Sequence, residues 1–264
     1  MQSVTEPSGL VLVGTCGWSV RGGKRAYFSV FKVVELQETF YKLPRVETAR
    51  RWREMAPPDF EYAVKAWQVV THPPTSPTWR RAGVTVPPEL RDRYGYLRPT
   101  EENLRAWEEV LDVCRALRAV VCVLQTPPSF NYSPEAEASV EAFFSTVRRD
   151  GVRLAWEPRG TWHEHPEAVR RICSSLDVVH VVDVLRRRPA FVGDLCYFRL
   201  HGLGGREVNY RYKYTDEDLA RLASVVGEYA KLGRRVYVLF NNVFMRDDAV
   251  RFREIARGAG LEVV

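Results

Sequence analysis

Glu35, Glu157, Asp183 and His201 each close a short apolar run in this chain, and all four can transfer protons or ligate a metal. Lys65, Arg159 and Arg199 stand in the same kind of position, as do Gln125, Asn241 and Asn242. Carboxylates with a histidine can hold a divalent cation, which polarises a phosphoryl or carbonyl oxygen and acidifies a bound water. Without a metal, the three cations bind an anionic group directly, Glu35 or Glu157 serves as general base, and His201 serves as acid. One histidine is too few for a strong zinc site. This leaves a metal-free centre, or Mg or Mn held by Glu35, Glu157, Asp183 and His201, and no organic cofactor is evident. Trp18 and Tyr41, together with Trp162, are placed to stack on a substrate ring.

Each residue also has a plainer role open to it. Glu35 suits a buried partner for a barrel cation, Lys65 a neutraliser of the acids, and Arg159 a loop brace. Asp183 suits a helix cap, and Asn241 and Asn242 suit satisfying loop backbone. Cys16 reads as a small buried thiol.

The elements that must position these groups show in the rhythm of the chain. Eight β-branched apolar runs end in polar residues, and a helical stretch is expected after each. They close on Cys16-Gly17-Trp18, Glu35, Lys65, Gln125, Glu157-Pro158-Arg159, Asp183, His201-Gly202 and Asn241-Asn242. Eight strand–helix units over this length predict an α/β fold, a (β/α)8 TIM-like barrel, whose active site lies at the strand C-terminal ends. Side chains alternate along a strand. Tyr197, Arg199 and His201 therefore share one face and Cys196, Phe198 and Leu200 the other. The same parity groups Ala155 with Glu157, Val33 with Glu35, Ala63 with Lys65, Val123 with Gln125, Val181 with Asp183 and Leu239 with Asn241.

Residues 68–99 form the longest irregular stretch, rich in proline and carrying His72, Trp79, Arg80, Arg81, Arg91 and Arg93. A long insertion after the third strand reads as a lid or binding loop. A second loop, Gly202 to Lys213, carries Arg206, Tyr210, Arg211 and Tyr212. Thr100, Ser133-Pro134 and Thr215-Asp216-Glu217-Asp218 look like helix starts. No linker or repeat interrupts the chain, so residues 1–264 read as one domain.

The 264 residues are 45% hydrophobic, enough for a sizeable core. No apolar run reaches the roughly 18 residues that span a bilayer. The opening residues show no signal-peptide pattern, and the five scattered cysteines form no Cys-x-x-Cys pair. A cytoplasmic protein without membrane association is expected. The net charge of +6, carried mainly by arginine, permits a polyanionic partner without requiring one.

Several blocks also resemble a known family. They are Gly14-Thr15-Cys16-Gly17-Trp18-Ser19, Val34 to Pro44, Phe60 to Ala66 with Thr71-His72, and Gln125-Thr126-Pro127-Pro128-Ser129-Phe130. Glu157-Pro158-Arg159 with Trp162, Arg199-Leu200-His201-Gly202 and Tyr237 to Asn242 complete the series. Together they are similar to the YecE-like family, a domain of unknown function. The chain departs from the usual pattern at Cys16, Trp156 and Gly160-Thr161. The resemblance implies a TIM-like barrel related to the xylose-isomerase-like superfamily, which includes metal-dependent endonucleases acting at damaged DNA. The several histidines of those enzymes' metal sites are missing here.

The leading expectation is a nuclease-like hydrolase acting on a phosphate-bearing substrate, with single-stranded nucleic acid as the partner considered first. Loops Gly22 to Arg25 and Gln68 to Pro99 would supply contacts and stacking. The alternatives are a sugar or sugar-phosphate isomerase, lyase or hydrolase, and a non-catalytic nucleic-acid or protein binding module. Arg80, Arg81, Arg91 and Arg93 lining one open groove would favour the first. The sequence leaves the oligomeric state open.

Overall fold

Runs such as Val11-Leu12-Val13 and Val121-Cys122-Val123-Leu124 are apolar on both faces, as strands of an all-parallel sheet covered by helices must be. The computed structural model describes residues 9–205 and 207–264. The opening segment read for a signal peptide and Arg206 lie outside the described residues. The order is β1 (Val11–Cys16), α1 (Gly23–Phe28), β2 (Val33–Leu36), α2 (Glu38–Tyr41), α3 (Val46–Met55), β3 (Glu61–Lys65), α4 (Gln68–Thr71), α5 (Glu101–Leu117) and β4 (Val121–Gln125). It continues with α6 (Pro134–Thr146), β5 (Arg153–Glu157), α7 (Pro166–Ser175), β6 (Val179–Val182), β7 (Leu195–Leu200), α8 (Asp216–Ala230), β8 (Arg235–Phe240) and α9 (Met245–Gly258). The eight parallel strands form a closed barrel in sequence order. Among the described residues no helix is long and apolar enough to cross a membrane.

By compactness the chain divides into two units. The first comprises the chain up to Glu35, Pro58–Glu61 and Val181–Val264, and the second comprises Leu36–Pro57 and Tyr62–His180. In the first, Tyr197 and Arg199 stand opposite Tyr237 and Leu239, which stand opposite Leu12 and Gly14, while Cys16 faces Glu35. Val11 and Val13 also donate their N–H groups to the carbonyls of Glu262 and Val264, at 2.9 and 3.1 Å. In the second unit, Lys65 pairs with Val123, Val123 with Ala155 and Gln125 with Glu157. Parallel neighbours point to the same face, so both registers reproduce the grouping that parity gives. Trp156 projects the other way, edge-on to Phe144 and Trp162.

Three local expectations change. No helix follows β6: residues 183–194 run as turns and irregular backbone to β7, and the Arg186 guanidinium is spent on the carbonyls of Gly202 and Gly204. Residues 68–99 are not structureless. They hold α4 and two 3₁₀ turns at Trp79–Arg81 and Pro88–Arg93. Asn103 fastens the far end back to the start, accepting from the Gly95 N–H at 3.1 Å and donating to the carbonyls of Val70, Gly95 and Arg98. Thr100 precedes α5 without capping it, because its hydroxyl donates to the Arg93 carbonyl instead. Ser133 and Thr215 do cap, the latter in a reciprocal box with Asp218.

Candidate functional site

In the first unit the lumen-facing polar residues sort into a buried pair and a strand-end set. Arg199 Nη2 donates to Glu35 Oε1 at 2.8 Å, and the Tyr197 hydroxyl donates to Oε2 at 2.9 Å. Both members of the ion pair are 0% exposed. Burial, with the Glu35 charge second, pushes the Tyr197 phenol well above its usual range, so it stays protonated and donates. Glu35 was expected as a general base and Arg199 as a phosphate binder. The buried pair also suits the plainer role open to Glu35, that of partner to a barrel cation.

His201 lies one step further along β7, still only 2% exposed. Its backbone N–H donates to Asp183 Oδ2 at 2.9 Å, and Asp183 Oδ1 accepts from the Leu185 N–H at 3.2 Å. Asp183 therefore braces the segment after β6 against β7 and caps no helix, since none follows that strand. The Asn241 amide nitrogen lies 3.2 Å from His201 Nδ1, and the Tyr210 ring stands edge-on with its centroid 6.1 Å from the imidazole. Asn242 works on the scaffold. Its amide donates to the Tyr212 carbonyl and to Asp248 Oδ2, both at 2.7 Å. Burial raises the Asp248 carboxyl above its ordinary range. Gly202 donates its N–H to the Tyr214 hydroxyl at 2.7 Å. With φ +84 and its absent Cβ aimed 2.1 Å from the Asn209 carbonyl, that position admits only glycine.

Beside this set is a groove of about 560 Å³ between the β1–α1 and β8–α9 loops. Ser19 and Arg21 line one side, and Val243, Phe244, Arg246 and Asp247 the other. The Val243 N–H donates to the Tyr210 carbonyl at 2.7 Å, which links the groove wall to the residue packed on His201. Ser19 is held through its hydroxyl, 3.0 Å from that of Thr15. Trp18 packs edge-on against Tyr27 and Phe28 and carries Lys24 over its ring at 4.7 Å. Reading the sequence alone misses Val243 and Phe244, although two large apolar residues following Asn241-Asn242 in a loop are a signal.

In the second unit Glu157 and Arg159 form an ion pair, both nearly buried. Gln125 faces Glu157 from β4. Lys65, also nearly buried, sits 4.1 Å over the Phe40 ring. Tyr41 is covered by the Arg81 guanidinium at 3.6 Å, a stacking partner already supplied by the chain. His72 is buried beside Phe40 and Thr71. Desolvation, with the Lys65 charge adding to it, lowers its pKa to about 3. Arg93 pairs with Glu102 at 2.6 Å and Arg81 is taken by Tyr41, so two of the four insertion arginines are spent on the protein itself.

Among the described residues no three His, Cys, Asp or Glu side chains converge to hold a metal ion. In the first unit Glu35 is engaged by Arg199 and Tyr197 and Asp183 accepts backbone N–H groups, and in the second Glu157 pairs with Arg159.

Fold and side chains together define a closed parallel α/β barrel with polar strand ends and a basic loop groove. The chain belongs to the family described as "Protein of unknown function DUF72", which matches residues 12–260. No curated protein matches it. Solved structures share the fold. A DUF72 family protein from Enterococcus faecalis is 17% identical, with 96% of this chain and 99% of that chain covered and a TM-score of 0.70. One from Thermotoga maritima is 22% identical, covering 94% and 99%, at 0.69. Endonuclease IV from Thermus thermophilus is 13% identical, covering 95% and 98%, at 0.50.

Proposed function

We propose that this protein is a hydrolase of a phosphate-bearing substrate, a nucleic-acid phosphodiester being the substrate that best suits the groove, with His201 as its proton-transferring group. One observation carries this reading. The His201 ring is fixed by Asn241 and touches Tyr210, whose carbonyl bonds the wall of the arginine-flanked groove. An amide can turn either end to Nδ1, donating to neutral imidazole or accepting from imidazolium, so Asn241 serves both protonation states. Water oxygen would attack phosphorus as the P–O ester bond breaks. The leaving oxygen takes the imidazolium proton from Nε2, and the proton lost by the water passes to solvent. Arg21 and Arg246 would hold the flanking phosphates. That an endonuclease shares the fold raises this reading without assigning it.

Cleavage of labelled single- and double-stranded DNA and RNA by pure protein tests it, in chelator, Mg and Mn. His201→Ala should lose about 10²–10⁴ in rate, and Asn241→Ala should lose less while both remain folded. Absence of cleavage by the wild type, or cleavage that survives His201→Ala, would sink the reading.

A small-molecule reading is favoured by a different observation. Lys65, Glu157 and Arg159 lie on or just beyond strands β3 and β5, each less than a tenth exposed, the compact polar setting that a sugar or sugar phosphate requires. Turnover of phosphorylated sugars that Glu157→Gln abolishes would establish it in place of the first.

A further inference from the structure

We infer that the groove between the β1–α1 and β8–α9 loops is a pocket for one unstacked nucleobase of single-stranded nucleic acid, with Phe244 as its stacking surface. The inference deepens the phosphodiester reading and rests on it for the polymer's identity, but it concerns binding and makes no use of His201.

Large apolar side chains are left in solvent at this loop cluster. Val243 is 69% exposed, Tyr210 47% and Phe244 36%. Three side chains are too small a patch for a protein interface of the usual extent, while a flat ring of Phe244's size matches one base. The groove, about 560 Å³, falls in the range that holds a small planar ligand. Its rim is cationic. Arg21 and Arg246 line it, Lys213 Nζ lies over the Phe244 ring but at 5.6 Å from its centroid, against 3.6 Å for the Arg81 that covers Tyr41, and Lys24 caps Trp18 on the β1–α1 loop. The one acid in the wall, Asp247, is paired with Arg246 at 3.1 Å. An aromatic platform inside a ring of cations is the arrangement that receives bases on its face and phosphates around it. A duplex keeps its bases stacked and offers no ring to the pocket, so single strands are preferred.

Anisotropy of a labelled thymidine octanucleotide, compared with the same octamer bearing one central abasic site, reads the pocket directly. The wild type should bind the abasic strand between about fivefold and a hundredfold more weakly. Phe244→Ala should lose that factor on the intact strand and nothing on the abasic one, whereas Phe244→Trp should retain it. Arg21→Gln should weaken both strands equally and reduce the salt dependence by about one phosphate contact. Equal binding of intact and abasic strands, equal loss on both with Phe244→Ala, a duplex bound as tightly as the single strand, or no binding at all would each overturn the pocket. Base-dependent binding without cleavage would leave the pocket standing and remove the hydrolase. Cleavage without base dependence would do the reverse.

Discussion

His72 shows how much a single side chain's surroundings decide. It lies beside a buried lysine, packed against Phe40, and its pKa falls to about 3 from an ordinary value near 6.5. Between those values the unfolded chain takes up a proton that the folded chain refuses. Stability from this residue is therefore complete above about pH 6.5 and declines as pH falls towards 3. Urea midpoints measured across that window should drop with acidity, and His72→Gln should flatten the slope by up to one proton. An unchanged slope would show that His72 is protonated in the fold. Residue roles were the least legible layer of the sequence. Parity placed Glu35, Arg199 and His201 on inward faces, but it carried no information about which inward residues meet. Glu35 and Arg199 are 164 positions apart, and only barrel closure brings them together. Phe244 was invisible for a related reason: periodicity reports burial within strands and helices, and exposure in a loop leaves no periodic trace.

Elements were far more legible, because their signals are local. All eight expected strands are present, and Ser133 caps its helix as its side chain allows. The contrast between Thr100 and Thr215 marks the limit of local reading. Both precede acidic first turns, yet only Thr215 accepts from the amide three residues on, since Thr100 finds the nearby Arg93 carbonyl. Thr215→Ala should therefore cost about 1 kcal/mol by denaturant titration, with Thr215→Ser retaining most of it. No loss beyond error would mean that water replaces the cap. The missing helix after β6 has a comparable cause. Residues Arg186 to Arg188 suit a helix by composition, but their side chains are drawn to the Gly202 carbonyl, Glu207 and Glu228.

For the molecule as a whole, the buried triad of Glu35, Tyr197 and Arg199 joins β2 to β7, strands that are not neighbours in the barrel order. Arg199→Met keeps the bulk and removes the charge that balances Glu35, so unfolding should become easier by about 3–5 kcal/mol. A variant that also replaces Glu35 with Gln should recover part of that loss, and a double variant as unstable as the single one would refute the pairing. The closed eight-strand order was itself legible, because every strand announces its polar end in sequence.

Closure through β1 also bears on how the chain is made. β1 is held by β8 along one edge and, over its first half, by the carbonyls of Glu262 and Val264 on N–H groups of Val11 and Val13. Along that edge β1 meets its partners only more than two hundred residues downstream, a separation that slows folding. Until those partners are in place the apolar edge of β1 is open to association, and this exposure should be greatest for variants that weaken the β1–β8 seam.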